Sequence, residues 1–549
     1  MVRPTFLGIE IGRTGVNVSQ KGLDVTGHNV ANVDTAGYTR QRLELTAIDP
    51  YNTIPKWKPV ENGVYGFGAK IVVVSQIRSA FYDRQYRTEE NYLAQWSTRN
   101  ERLGFIEGVY EGEQISGVKS SMDEFFAALN TMAENPTSGS MRTHVRTTAT
   151  TVTETLKDFY TKNVELFRDE NTEIETIAKE INTILESITF LNKSIYFFEM
   201  DGQPANDLRD KRNLEVDRLS ELVDITYSGD AIGDRFMVLI GDYAVVNHTE
   251  CDQLKVDKLV LGTDTPPAAY ANFPTYLETL LPGENFTILS WRKDANRIVN
   301  IDPANTTNGI KSGILYATME MRESNSPTRP GVPYFLEKLN EFARGFAKAV
   351  NDIHKTGFTY PFGTATSLDD FNFFTCLNPV GGVDVLTSAA FDALAGNSYD
   401  HINASNLTVS LDILNSEWMI AGSSKMILLD GMALPEELFP GNGEIMQQLF
   451  NLKIRKDVPI IGNPYGYFDR LEIDIADARA YSKDMTDSQT RLVLSVEQLR
   501  LSVAGVSLDE EMTNLIRFQH AYSGAARVIT TMDEALDRII NRTGLVGIV

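Results

Sequence analysis

Cysteine is nearly missing: Cys251 and Cys376 are the only two in 549 residues. They lie too far apart for a CxxC pair, a zinc spacing or a disulfide framework. Histidine is also sparse. None of the six stands four residues from another or in a HExxH context, so no metal site is expected. Basic charge is in deficit. Lys plus Arg is 51 against 74 Asp plus Glu, a formal net charge of −23. That excludes nucleic acid and anionic membrane as main partners, because both require a basic surface. No apolar run approaches the roughly 18 residues that span a bilayer. The first 30 residues lack a basic stretch followed by an apolar core, so a cleaved leader is not expected.

Catalytic signatures are absent too. There is no GxSxG, no Walker A and no deaminase pattern. Gly63-Val64-Tyr65-Gly66-Phe67-Gly68 is glycine-rich but runs into the strand-like Ala69–Val74, where a phosphate loop would open a helix. It reads as a turn. The acid pair Glu510/Glu511 is expected on a solvated helix face. The expectation is no enzyme, no cofactor, and no catalytic or metal residues.

What remains is ordinary globular composition, 42% hydrophobic and 23% charged, in a length that suits about three or four domains. The charge is uneven. Residues 1–60 carry seven Lys/Arg against five acids, and residues 507–549 carry four Arg against six acids. The two ends cancel, so the whole deficit sits in residues 61–506. Near-neutral ends suit burial, and an acidic middle suits solvent.

Ile9, Val16, Leu23 and Val30 recur every seven residues, with small Gly12, Ser19 and Thr26 between them. This predicts one helix over about 5–31, with Pro4 in its first turn and a narrow seam. Its five glycines each cost about 1 kcal/mol relative to Ala, so it needs a partner. The partner is expected at the other end. Leu508, Leu515, Tyr522, Ile529 and Leu536 repeat every seven residues, and Phe518, Ala525, Met532 and Ile539 fill a second seam position. Ser507 and Glu510 have the spacing of a capping box at its start. Other helical patterns run over 82–103, 140–198 (as one helix or two in series), 208–222, 335–350 and 474–503. Short strand patterns among Pro and Gly mark 226–310 as a β-rich module. Residues 357–401, with Gly381-Gly382, are loop-rich.

Asn29-Val30-Ala31-Asn32-Val33-Asp34-Thr35-Ala36-Gly37-Tyr38 has the form of a helix stop and tight turn. Asn32 would be a left-handed cap, and Gly37 would take a positive φ. Leu23 to Gln41 as a whole, ending in Tyr38-Thr39-Arg40-Gln41, resembles the N-terminal signature of the flagellar axial family of rod, hook and hook-associated proteins. The ending is most similar to the members at the hook–filament junction. The family usually has Pro where Ala36 stands and often Asn where His28 stands; Asn29, Asn32, Thr35, Gly37, Tyr38, Arg40 and Gln41 remain as the signature. Gly505–Met512, Asn514–Ile516, Phe518–Tyr522 and Ala526–Glu534 resemble the family's C-terminus. Residues 206–212, 216–223, 350–354 and 438–443 (Leu438-Phe439-Pro440-Gly441-Asn442-Gly443) are similar to internal helices and loops of the junction members.

The resemblance implies an extracellular structural protein, exported through the flagellar type III apparatus and polymerised at the hook tip to join hook and filament. It implies hook protein below, a second junction protein above, further copies in a ring, and an export chaperone on the C-terminal helix. A hook or distal-rod subunit is the alternative within the family. A secreted cell-wall hydrolase is the alternative outside it, but the sequence offers no catalytic acid for it.

The fold class expected is mainly α with an inserted β domain, nested so that the chain ends pair as a coiled coil. The divisions are 1–60 with 505–549 as the terminal pair, and 61–225, 311–356 and 402–504 as a long-helix bundle. Residues 226–310 form the outer β module and 357–401 a loop-rich insertion.

Overall fold

The computed structural model describes residues 6–48, 66–110, 115–229, 234–268, 270, 273–301, 309–360, 368–378, 384–426 and 441–542. Pro4, Gly63 to Tyr65, Gly381-Gly382 and Leu438 to Pro440 lie outside the described residues.

Helix α1 (Leu7–Ala31) turns into β1 (Gln41–Ala47), which pairs antiparallel with β2 (Ala69–Gln76). Then come α2 (Ala80–Val109), α3 (Ile115–Glu134) and α4 (Gly139–Phe198). Helix α4 is a single helix of 60 residues, about 90 Å long at 1.5 Å per residue. It holds no proline, and glycine only at its first position, so nothing in it imposes a kink. Its heptad Ile174, Ile181, Ile188 and Ile195 faces inward and is buried. Helix α5 (Asn206–Leu222) packs back against α4.

Strands β3 (Ile225–Ser228), β4 (Met237–Ile240), β5 (Tyr243–Asn247) and β6 (Glu250–Cys251) form an antiparallel sheet in chain order. Strands β7 (Leu254–Val260), β8 (Asn285–Trp291), β9 (Ile298–Ile301) and β10 (Gly309–Ile310) form a second sheet, with α6 (Tyr276–Leu280) between β7 and β8 and only β9–β10 parallel. These strands were expected as a module with its own limits. Their core is instead shared: Val238, Val246 and Trp291 pack in one cluster with Ile177 and Ile184 of α4, Val216 of α5 and Leu315 of α7 (Ile314–Glu323). Strands of two to seven residues cannot bury a face alone, and the long helix supplies the other side.

A second core surrounds α8 (Val332–His354), entered through the hairpin of β11 (Asn325–Ser326) and β12 (Arg329–Pro330), with Pro333 in its first turn. Phe335, Phe342 and Phe346 meet Tyr110, Phe125, Phe126 and Phe159 there. The loop-rich stretch contributes to the same core. Phe373 just before β13 (Phe374–Cys376), Phe374 and Cys376 within it, and Phe391 of α9 (Ser388–Asp392) are fully buried. Two α8 side chains hold it in place. Asn351 accepts from the Phe373 and Phe374 N–H groups, both at 2.8 Å, and donates to the Phe374 carbonyl. His354 accepts from Ala421 N at Nε2 (2.8 Å), so Nδ1 carries the proton toward the Phe371 carbonyl at 2.6 Å.

Strand β14 (Leu407–Val409) pairs with β13, and α10 (Leu411–Asn415) follows. Helix α11 (Glu444–Asn451) packs on α3. Helix α12 (Pro464–Ala504) starts well before the expected 474. Asn463 Oδ1 caps it, accepting from Tyr465 N (3.0 Å) and Gly466 N (2.8 Å), and Pro464 sets its first turn. It runs antiparallel to α2: Trp96 meets Tyr481 edge-on at 5.6 Å, and Gln489 bonds the Glu89 carbonyl. Helix α13 (Leu508–Arg542) ends the described chain.

Candidate functional site: the joint between the terminal helices and the body

Helices α1 and α13 pack against each other along their lengths, antiparallel. Of the expected narrow seam, the small positions Gly12, Ser19 and Thr26 are buried and the apolar repeats lie beside them. Gly12, Val18, Ser19, Gly22, Val25, Thr26 and Asn29 are buried, while Ile9, Val16, Leu23 and Val30 are only half-buried along the edges. Close approach is the reason. A Cβ on Gly12 would lie 2.6 Å from Ile529 Cγ1, and one on Gly22 would lie 2.5 Å from Phe518 Cδ1. The large side chains of α13 therefore rest on the backbone of α1, and the small residues become the axis of contact. On α13, Leu515, Phe518, Ile529 and Leu536 are half-buried. Leu508, Tyr522, Met532 and Ile539 are exposed in the chain alone, although Met532 overlies Gly8.

At the C-terminal end of α1 the signature residues close into a knot. Asn29 is 1% exposed and uses both ends of its amide. Its Oδ1 accepts from Tyr38 Oη (2.8 Å) and Gln41 N (3.0 Å). Its Nδ2 donates to the Gln41 carbonyl (2.9 Å) and to Glu511 Oε2 (3.1 Å). Asn32 ends the helix, but at φ −111 rather than in the left-handed region. Its Nδ2 reaches back to the His28 carbonyl at 2.9 Å, and Thr35 Oγ1 donates to its Oδ1. A side-chain bond replaces the backbone twist. Gly37 does take positive φ, +76, and packs on Leu214 of α5. Because Tyr38 gives its proton to Asn29, His28 Nδ1 donates to the Tyr38 oxygen at 3.0 Å. Burial pushes the Tyr38 phenol well up, and the charges of Asp207, Asp210 and Glu511 add to this.

Three parts of the chain meet on residues 39–41. Arg40 Nε donates to Glu511 Oε1 (2.8 Å) and its Nη1 to Glu510 Oε2 (2.9 Å). Its backbone N–H bonds the Ala504 carbonyl at the end of α12. This overturns the solvated-face expectation for Glu511, whose side chain is 2% exposed, whereas Glu510 stays 58% exposed while bonding the same Arg40. The hydrogen bond from Arg40 also holds the Glu510 carboxyl below the usual range. Thr39 N donates to Asp210 Oδ2 (3.0 Å), and Gln41 Nε2 to Asp207 Oδ1 (2.9 Å), both on α5. Burial raises Asp210 to about 6, although the Thr39 hydrogen bonds and Arg78 pull it down.

Below the knot a chain of ion pairs ties α2, α5 and α12. Arg78 bonds Asp83, Arg500 Nε meets Asp83 at 2.8 Å, Arg500 Nη2 meets Asp217 at 2.7 Å, and Arg87 Nε meets Asp217 at 2.6 Å. Burial would raise Asp217, but Arg87 and Arg500 together hold it below the carboxylate norm. Sequence reasoning missed Asp207, Asp210 and Glu511 as partners of the signature. They lie 166, 171 and 471 residues from theirs, and no local pattern reports a pairing at that range.

This arrangement fastens a two-helix pair to a body. Among the described residues no group of three metal-ligating side chains occurs, and no helix is long and apolar enough to cross a membrane.

Comparison with known proteins bears directly on this geometry. The family model for the FlgK helical domain of flagellar hook-associated protein matches residues 103–368, which hold most of both cores. The model for the C-terminal region of the flagellar basal body rod FlgEFG proteins matches residues 497–542, which hold the joint's Glu510 and Glu511. Flagellar hook-associated protein 1 of Bacillus subtilis is 27% identical over 99% of both chains. The chain thus carries a match to the FlgK helical domain and is similar over nearly its whole length to a flagellar hook-associated protein 1. Members from Salmonella typhimurium and Escherichia coli are 23% identical, each over 96% of this chain and 98% of theirs. The structure of the flagellar hook junction protein FlgK from Burkholderia pseudomallei superposes with a TM-score of 0.51 at 15% identity. It covers 76% of this chain and all of that one. The mainly helical fold with small sheets is thus the fold of the family.

Proposed function

We propose that this chain is a structural, non-catalytic subunit of the bacterial flagellum, joining hook to filament. The observation that carries this reading is the end-to-end correspondence with hook-associated protein 1 chains, in a molecule whose two ends close into one helical pair. Among the described residues, no side chain of the pair belongs to either large core of the body; α1 also packs on β1 and β2. The pair's outer faces expose Ile11, Met512, Ile516 and Ile540, the last at 70%. Large apolar side chains exposed along the pair need cover.

In this reading the terminal pairs of successive copies pack around the axis and cover one another. The helical body forms the next shell, and the two sheets face outward. Hook protein lies below the ring and a second junction protein above it. The chain leaves the cell through the flagellar type III apparatus. Before assembly an export chaperone covers the apolar face of α13. The glycine-laden α1 orders on docking, as coupled folding and binding requires. The near-neutral ends suit an interior and the acidic middle a surface.

The test is negative-stain imaging of isolated hooks mixed with the full chain. Capped hooks that accept filament are expected. Deleting residues 1–30 or 510–549 should abolish capping while leaving a soluble body. A truncated chain that still caps hooks overturns the reading.

A further inference from the structure

The body half of the α12–α13 run carries two rows of leucine that stay half exposed among the described residues. Leu492 and Leu499 are 48% and 45% exposed; Leu494 and Leu501 are 52% and 57%. Within each row the spacing is seven residues, about two turns. Between the rows, Leu492 and Leu494 are about 200° apart around the helix. The rows therefore lie on opposite flanks of α12. Between them run Val493 and Val496, both buried, and Arg500, which is paired with Asp83 and Asp217. Past the break at Gly505, Leu508, Met512 and Ile516 of α13 are exposed as well.

We propose that these flanks are the contact between neighbouring copies of this chain, the Leu492/Leu499 flank of one copy meeting the Leu494/Leu501 flank of the next. This rests on the reading above that copies assemble around a common axis. Three observations favour a second copy over any other occupant.

First, a single partner seated in one groove cannot cover opposite flanks of one helix. Identical copies side by side cover both with one repeated contact, a heterologous interface that closes into a ring or helix. Second, the chain carries a net charge of −23, so copies repel wherever their acidic surfaces meet. From Leu492 to Ser507 the only charged residues are Glu497 and Arg500, and Arg500 is neutralised by its two aspartates. This strip is where two copies can approach. A basic partner would instead be drawn to the acidic remainder. Third, four half-exposed leucines fall far short of the roughly 800 Å² per partner of a stable complex. One such contact does not hold a pair in solution. Two per copy, added to the packing of the terminal helices, hold a closed ring.

Disulfide trapping on assembled hooks tests this in a Cys251→Ser background, since Cys376 is buried. A chain carrying both Leu499→Cys and Leu501→Cys, capped onto hooks and mildly oxidised, should give a ladder of covalent multimers. Either substitution alone should give none, and a mixture of the two single variants should give dimers. Self-crosslinking of a single variant would show a two-fold contact and overturn the proposal. So would hooks that cap normally while the double variant yields no ladder. The unsubstituted chain is scored for capping alongside, so its failure to cap counts against the junction reading, and loss of crosslinks with capping intact counts against the flanks. Leu492→Gln combined with Leu499→Gln should lower ring occupancy at least tenfold with an unchanged proteolytic pattern of the body; unchanged occupancy would also overturn it.

Discussion

Arg40 and Glu511 stand 471 residues apart in the chain, and their side chains meet at 2.8 Å. One guanidinium thereby ties the strand leaving α1 to the first turn of α13. The contact is charge-assisted, with a carboxylate that is 2% exposed, and is the kind that costs most when one partner is removed.

Arg40→Met leaves Glu511 buried with only the Asn29 amide. The terminal pair should lose roughly 3 kcal/mol, at the low end of what breaking a buried pair costs. Hydrogen exchange of α1 and α13 should rise while α4 stays protected. Adding Glu511→Gln should recover most of the loss, since no uncompensated charge then remains. Equal exchange in α1 for both single and double variants would show that the pair does not hold the joint.

Glycines of α1 should divide by position. Gly22→Val would drive a side chain into Phe518 and should cost about 1–3 kcal/mol of terminal pairing. A Cβ on Gly27 meets nothing within 4 Å, so Gly27→Ala should instead gain up to about 1 kcal/mol of helix stability. Amide protection along α1 reads both. Opposite signs are expected.

Asp210 makes the joint sensitive to pH. Burial raises its folded value to about 6 from an ordinary 3.8, so the folded joint binds the proton more tightly than the unfolded chain does. The stabilisation is full below about 4 and is lost as pH climbs through 6, at about 1.4 kcal/mol per unit. Protection of residues 39–41 should therefore be greater at pH 4.5 than at pH 7, and Asp210→Asn should flatten the difference.

His354 should behave in the opposite sense, at a separate place. Its burial holds it down to about 4, against 6.5 for a free imidazole. The neutral ring receives the Ala421 N–H, so the stability it confers is full above 6.5 and falls as pH drops toward 4. Exchange of the Phe373, Phe374 and Ala421 amides should accelerate between pH 6.5 and 4.5. In His354→Gln that acceleration should disappear.

The long helices were legible because their signals are local. The isoleucines at 174, 181, 188 and 195 report α4 directly, and the seven-residue rows at both ends report α1 and α13. The axis of the terminal contact was legible in part. The small Gly12, Ser19 and Thr26 mark a narrow seam, but Gly22 stands outside that seven-residue row and the apolar repeats Ile9 and Val16 lie beside the contact. The start of α12 was hidden because Asn463-Pro464 reads as a turn until the Asn side chain is seen capping the helix. The 226–310 and 357–401 stretches look like separate modules by composition. Whether a short strand packs on its neighbours or on α4 is decided by residues far away, and the strand's own pattern is the same in both cases. The ties that join residues 39–41 to α5, α12 and α13 had the least local trace, since each spans 165 residues or more.

Helix α4 passes both cores without a break: Val152 and Phe159 belong to one, and Ile174 and Ile188 to the other. Mechanically this makes the body a strut. Torque applied at one core reaches the other through a continuous hydrogen-bonded rod with no proline or internal glycine at which to yield.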